Sequence, residues 1–178
     1  HHFLAQATEL IHTASLVHDD IVDKSKFRRS QQSCHEQWGD KFAIIAGDFL
    51  FSQASLKLSL LDNTQIGRVY SQVLCDLCTG EISQAQNKFN FEKNTWNSYL
   101  QKSICKTASL FAAAMQSSAL LLNYQDPEEF RICGENLGLC FQIKDDLLDF
   151  TSTQKQLGKD SFNDLSQGVF TAPTLFAF

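Results

Sequence analysis

The chain has 178 residues, 15 Lys+Arg against 20 Asp+Glu and a net charge of −5, so it can bury a sizeable core but lacks the basic balance of a nucleic-acid binder. An apolar share of 43% excludes a disordered chain. Eight Gly and two Pro are too few turn formers for an all-β sandwich or barrel, which leaves long helices with short connections.

Phe3, Leu4, Ala7, Leu10, Ile11, Ala14, Val17 and Ile21 recur in steps of three and four, so a helix is predicted over residues 3–23. Residues 28–39 are polar and read as a loop. A second helix is predicted over 40–61, broken by Asp62-Asn63, and a third over 64–87. After a break at 90–94, one long helix is predicted over 95–124. In Asp126-Pro127-Glu128-Glu129, Asp126 is a cap, Pro127 suits the first helical position and Glu129 completes a capping box. That helix should reach Phe150. Residues 151–168, with Gly158 and Gly168, read as a loop, and Thr171-Ala172-Pro173 opens a last helix. The reading is one all-α domain over residues 1–178. There is no uncharged apolar run of ~18 residues, so no membrane-spanning helix is expected. No signal peptide is visible, and without an initiator Met the chain reads as a fragment.

Cys34, Cys75, Cys78, Cys105, Cys133 and Cys140 do not form a dense disulfide pattern. Cys75 and Cys78 have redox or zinc spacing, but no second pair completes a site. The expectation is six reduced cysteines used in packing.

Two segments carry chemistry. Asp19-Asp20-Ile21-Val22-Asp23 closes the first helix and Asp145-Asp146-Leu147-Leu148-Asp149 lies near the end of the fifth; both are DDxxD. The first and last Asp of each motif are four apart and share a helical face. Carboxylates stacked this way repel each other, and at a helix C-terminus they also oppose the macrodipole. A cation offsets both costs, and hard divalent ions with oxygen ligands are the natural partners. With 13 Asp in 178 residues, chance yields one such motif in roughly one chain in fourteen and two in a few per thousand, so a pair of solvated helix ends is a poor explanation. Lys24, Lys26, Arg28 and Arg29 follow the first motif, Lys144 and Lys159 flank the second, and Lys106 interrupts an apolar helix. Arginine forks and lysine point charges are what diphosphate oxygens require.

The segments LIHTASLVHDDIVDKSKFRR, AGDFLF, GEISQ, KTASL, FQIKDDLLDF and LGKDSFNDL, in this order, resemble the trans-prenyl diphosphate synthases. GEISQAQNKFNF, the run from Lys102 to Thr107 and the ending TAPTLFAF are similar to the long-chain cyanobacterial and plastid branch, the solanesyl-type polyprenyl synthases. The resemblance implies an isoprenoid-synthase helical bundle around a central cavity onto which both motifs face. It also implies about three Mg2+ ions shared between carboxylates and an allylic diphosphate. The family pattern makes Asp19, Asp23 and Asp145 foremost as direct ligands, and Asp20, Asp146 and Asp149 direct or water-mediated ones. Arg28, Lys106, Thr107, Gln142 and Lys159 match positions that hold the allylic diphosphate, and His12 and Arg29 match positions for isopentenyl diphosphate.

The implied reaction extends geranyl, farnesyl or geranylgeranyl diphosphate by isopentenyl units, with metal and cationic side chains stabilising the departing diphosphate. Released diphosphate is the expected base, so no protein nucleophile is needed. Ala14 and Ser15 lie about one turn before Asp19, where short-chain members carry an aromatic stopper, so a product longer than C20 is expected. The family further implies a homodimer in a plastid stroma or bacterial cytoplasm, with a lipophilic product passed to a membrane.

The chain departs from the pattern in several places. The N-terminal Gly-Lys-x-x-Arg-Pro segment and the C-terminal helices are absent, Ser30 replaces a usual Gly, and Val169 replaces a usual Lys after Gly168. Three other readings are a class I terpene cyclase, a non-catalytic subunit of a heteromeric synthase, and a metal-binding bundle without a reaction. The first normally lacks a second DDxxD, and the second usually loses one of the pair.

Overall fold

A computed structural model describes residues 2–151 and 163–177. Its helices are α1 (His2–Val22), α2 (Cys34–Trp38), α3 (Asp40–Ser59), α4 (Thr64–Asn87), α5 (Trp96–Ser103), α6 (Ser109–Leu121), α7 (Pro127–Thr151), α8 (Asn163–Ser166) and α9 (Ala172–Ala177). A π turn, Ile104–Ala108, joins α5 to α6, and strands β1 (Phe27–Arg28) and β2 (Gln31–Gln32) form an antiparallel hairpin. The helices gather into two compact units, residues 1–68 and 69–178.

In the first unit α1 buries Leu4, Ala7, Ile11 and Ala14, the apolar stripe that defined it in the sequence. It packs along α3, which buries the small residues Ala43, Gly47 and Ala54 at steps of four and seven. The small side chains let the helices approach closely. A Cβ on Gly47 would lie 2.2 Å from Nε2 of His18, and His18 Nε2 is itself within hydrogen-bonding distance of Ile44 O, at 3.1 Å. A second apolar stripe on α3, through Phe42, Ile45, Phe49 and Leu56, is exposed.

The second unit is built on α6 and α7. The π turn and α6 both lie close against α7: a Cβ on Gly134 would meet Phe111 O at 2.6 Å and Ala112 Cα at 2.8 Å, and one on Gly138 would meet Ala108 Cα at 2.5 Å. Asp126 caps α7 as expected, accepting from the amides of Glu128 (3.1 Å) and Glu129 (3.4 Å), and Pro127 opens the helix.

Four expectations are corrected. Residues 28–39 are not all loop: they hold most of the hairpin and α2. Arg29 (φ 50°) and Ser30 (φ 64°) both take left-handed backbone, which is what a two-residue turn between right-twisting strands demands. The predicted helix over 95–124 is divided by the π turn. Trp96–Leu121 nevertheless forms one run that, by length and composition, is apolar enough to cross a membrane; it carries Lys102 and Lys106, and its α6 portion packs on α7. Finally, all six thiols are free, but only Cys105 is buried, Cys34 is half-buried, and Cys75, Cys78, Cys133 and Cys140 are exposed rather than core residues. Most of the predicted 151–168 loop lies outside the described residues.

Candidate active site

In the first unit the aspartate motif lies where α1 ends. The helical pattern runs on through Asp23 N to Asp19 O (2.8 Å), and Lys24, at φ 52°, then turns the chain away. Asp19 and Asp23 are half-buried, while Asp20 is only 3% exposed. A buried carboxylate needs donors, and the hairpin supplies them. Arg28 Nε donates to Oδ1 and Oδ2 of Asp20 at 2.9 Å each, and Nη2 donates to Oδ1 at 2.7 Å. Burial works against the guanidinium charge, but the hydrogen bonds and charge of Asp20, with Asp19 and Asp23 behind, outweigh it and hold Arg28 above the ordinary arginine range. The structure thus joins Arg28 to the first motif. Arg29 is exposed at the tip of the hairpin, and His12 is half-buried two turns before Asp19 on α1. Ala14 is fully buried in the core, and Ser15, half-buried, donates to His12 O at 2.9 Å.

In the second unit the π turn carries Lys106 and Thr107. Such turns insert an extra residue into a helix and are frequent at functional sites. Lys106 reaches back to α4 and pairs with Glu81. Gly80 makes this possible, because a Cβ there would lie 2.6 Å from Cγ of Lys106. Thr107 Oγ1 donates to Gln142 Oε1 at 2.5 Å, and Gln142 Nε2 donates to Asp146 Oδ1 at 2.7 Å. The other oxygen of Asp146 accepts from Tyr99 OH at 2.7 Å and from Ala172 N at 3.3 Å. Burial, then the bond to Asp146, pushes the Tyr99 phenol up from its ordinary value, so it stays a donor. Asp145 is exposed, and Asp149 is 1% exposed. Thr107, Gln142 and Asp146 are therefore joined in one hydrogen-bonded chain, while the Lys106 ammonium is turned to Glu81. Lys159 lies outside the described residues.

The sequence reading missed Tyr99, Gly80 and Glu81. The last two fall in the GEISQ segment, which carried a signal without a role; Tyr99 carried none.

The donors suit a divalent cation. Each motif offers hard oxygen ligands at the C-terminal end of a helix, where the macrodipole favours positive charge. Among the described residues no three His, Cys, Asp or Glu side chains converge into a complete protein cage. Mg2+ typically takes one or two carboxylates and completes its shell with water and phosphate oxygens, so an incomplete cage is compatible with it.

The family model described as Polyprenyl synthetase matches residues 1–178. The prenyl transferase of Cyanophora paradoxa is 48% identical over 179 residues, covering 99% of this chain and 55% of that protein. The chloroplastic solanesyl diphosphate synthase 1 of Arabidopsis thaliana is 45% identical, covering 99% of this chain and 44% of that protein. Among solved structures, a polyprenyl synthase from Caulobacter crescentus complexed with calcium and isoprenyl diphosphate superposes with a TM-score of 0.93 at 35% identity, covering 98% of this chain and 54% of that one. The chain thus spans about half the length of the curated relatives it matches.

Proposed function

The chain belongs to the polyprenyl synthetase family, and on that footing we propose that it serves a Mg2+-dependent trans-prenyltransferase that extends an allylic diphosphate with isopentenyl diphosphate. The observation that carries this reading is the presence of two DDxxD motifs with polar and basic residues on each, Arg28 bonded to the first and Thr107, next in sequence to Lys106, joined through Gln142 to the second. Relatives named solanesyl diphosphate synthase and a neighbour holding calcium and isoprenyl diphosphate support it. The two units are read as parts of one synthase domain because the family match runs unbroken from 1 to 178.

Under this proposal Asp19, Asp23 and Asp145 are direct metal ligands, with Asp20, Asp146 and Asp149 completing each motif. Mg2+, when bound, supplies the positive charge that makes diphosphate an acceptable leaving group. Arg28, Lys106 and Lys159 hold non-bridging oxygens of the allylic diphosphate as charge develops there, and Gln142 orients it. His12 and Arg29 are assigned to isopentenyl diphosphate. Its double bond attacks the allylic carbon, and the released diphosphate takes the proton, so the chain need supply no base. Lys106 held by Glu81 is fixed in place before substrate arrives, which lowers the ordering cost of binding.

A product beyond C20 follows from small residues at positions 14 and 15, with support from the solanesyl-type relatives. The exposed stripe on α3 supports a homodimer, and chloroplastic relatives support a plastid or bacterial setting. The test is incubation of the full chain with labelled isopentenyl diphosphate, farnesyl diphosphate and Mg2+, followed by chromatography of the products. Extended prenyl diphosphates are expected. A cyclised product without uptake of label would indicate a terpene cyclase, and metal binding without any turnover would refute the transferase reading.

A further inference from the structure

Asp146 is the second aspartate of its motif, is 2% exposed, and accepts from three donors on three elements: Tyr99 on α5, Gln142 on its own helix and Ala172 N at the start of α9. An ionised carboxylate has no hydrogen to give, so it dictates the direction of every bond around it. Gln142 must turn its NH2 toward Asp146. Its carbonyl then faces Thr107, and the Thr107 hydroxyl must spend its hydrogen on Gln142. This relay leaves the second N–H of Gln142 as the donor available to an incoming anion. If the amide were reversed, it would present a carbonyl oxygen, which repels one.

We propose that Asp146, held by Tyr99, is a positioning residue that fixes the polarity of the Gln142–Thr107 pair toward the diphosphate rather than a ligand of the cation. The second aspartate of the other motif behaves in parallel: Asp20, also buried, spends both its oxygens on Arg28. The proposal rests on the reading that Gln142 and Thr107 face a diphosphate.

The test compares Asp145→Asn, Asp146→Asn and Tyr99→Phe in the full chain. Bound Mn2+ is counted by electron paramagnetic resonance in the presence of inorganic diphosphate, and KM and kcat are measured with the allylic substrate. Asp146→Asn, which frees Gln142 to reverse, should leave the Mn2+ count unchanged and raise KM for the allylic diphosphate about tenfold. Tyr99→Phe should raise it a few-fold, and adding it to Asp146→Asn should do little more, since both act through one relay. Asp145→Asn should lose bound Mn2+. If Asp146→Asn loses Mn2+ as Asp145→Asn does, or if both Asp146→Asn and Tyr99→Phe leave KM unchanged, the positioning role is overturned. If wild type itself binds no Mn2+ with diphosphate, the underlying diphosphate reading fails instead. Should Asp146→Asn not fold, Tyr99→Phe with an unchanged KM overturns the proposal alone.

Discussion

Replacing Gly138 by alanine should destabilise the second unit, although alanine is the better helix former. The new Cβ would stand 2.5 Å from Cα and 2.8 Å from Cβ of Ala108, and 3.2 Å from Cδ2 of Phe111. Carbon atoms in contact prefer about 3.5–4.0 Å, so roughly 1 Å of overlap must be relieved. The nearest atom is backbone, so no rotamer change relieves it and the helices must separate. Overpacking of this kind costs about 1–3 kcal/mol, and the helix propensity of alanine returns up to about 1 kcal/mol. The net loss of up to about 2 kcal/mol corresponds to a fall in Tm of up to about 8 °C in a chain of this size. Gly67→Ala is the control. It too lies in a helix, but a Cβ there meets nothing within 4 Å, so Tm should rise by up to about 4 °C. Thermal unfolding followed by far-UV circular dichroism measures both. A Gly138→Ala variant as stable as Gly67→Ala would show that the π turn and α7 are not in backbone contact, and the reasoning would fail.

Ser30→Gly should raise the urea midpoint: left-handed backbone costs a non-glycine residue about 1–2 kcal/mol, and the entropy of glycine returns only part of the gain, leaving up to about 1 kcal/mol of stabilisation. Ser15→Phe should shorten the prenyl product in the chromatographic assay, whereas Phe at the fully buried Ala14 should first lower Tm. Burial raises the Cys105 thiol above its ordinary value, so it stays protonated at neutral pH and alkylates slowly. Mass spectrometry after iodoacetamide treatment should find Cys75, Cys78, Cys133 and Cys140 modified first, with Cys105 catching up only as pH rises.

What the sequence made legible is what local physics decides. The stripe of α1 and the Asp126 cap were readable because partner groups lie within a turn of each other. The hairpin was not, since Arg29-Ser30 lacks the Asn-Gly signature that announces a two-residue turn. The π turn was not either, because Lys106 and Thr107 would suit an α-helix equally well; the hydrogen bond from Thr107 to Gln142, 35 residues away, is long-range. Likewise both motifs were visible as spacing, but the engagement of Asp146 by Tyr99 spans 47 positions, and no local pattern encodes it. Lys106 stood out as a charge in an apolar helix, yet its partner Glu81 is fixed by the room that Gly80 leaves.

The π turn also sets the tolerance of this region to change in length. Because the extra residue is taken up locally, the helix keeps its phase on either side of the turn. Excising one residue from 104–108 would heal the stretch into regular α-helix and leave Ala112 against Gly134, whereas a further insertion there, if not absorbed in turn, would rotate everything beyond it by about 100° and bring bulkier side chains against bare backbone. Loss of one residue is therefore expected to spare the packing on α7 while taking Lys106 or Thr107 out of register with Glu81 and Gln142.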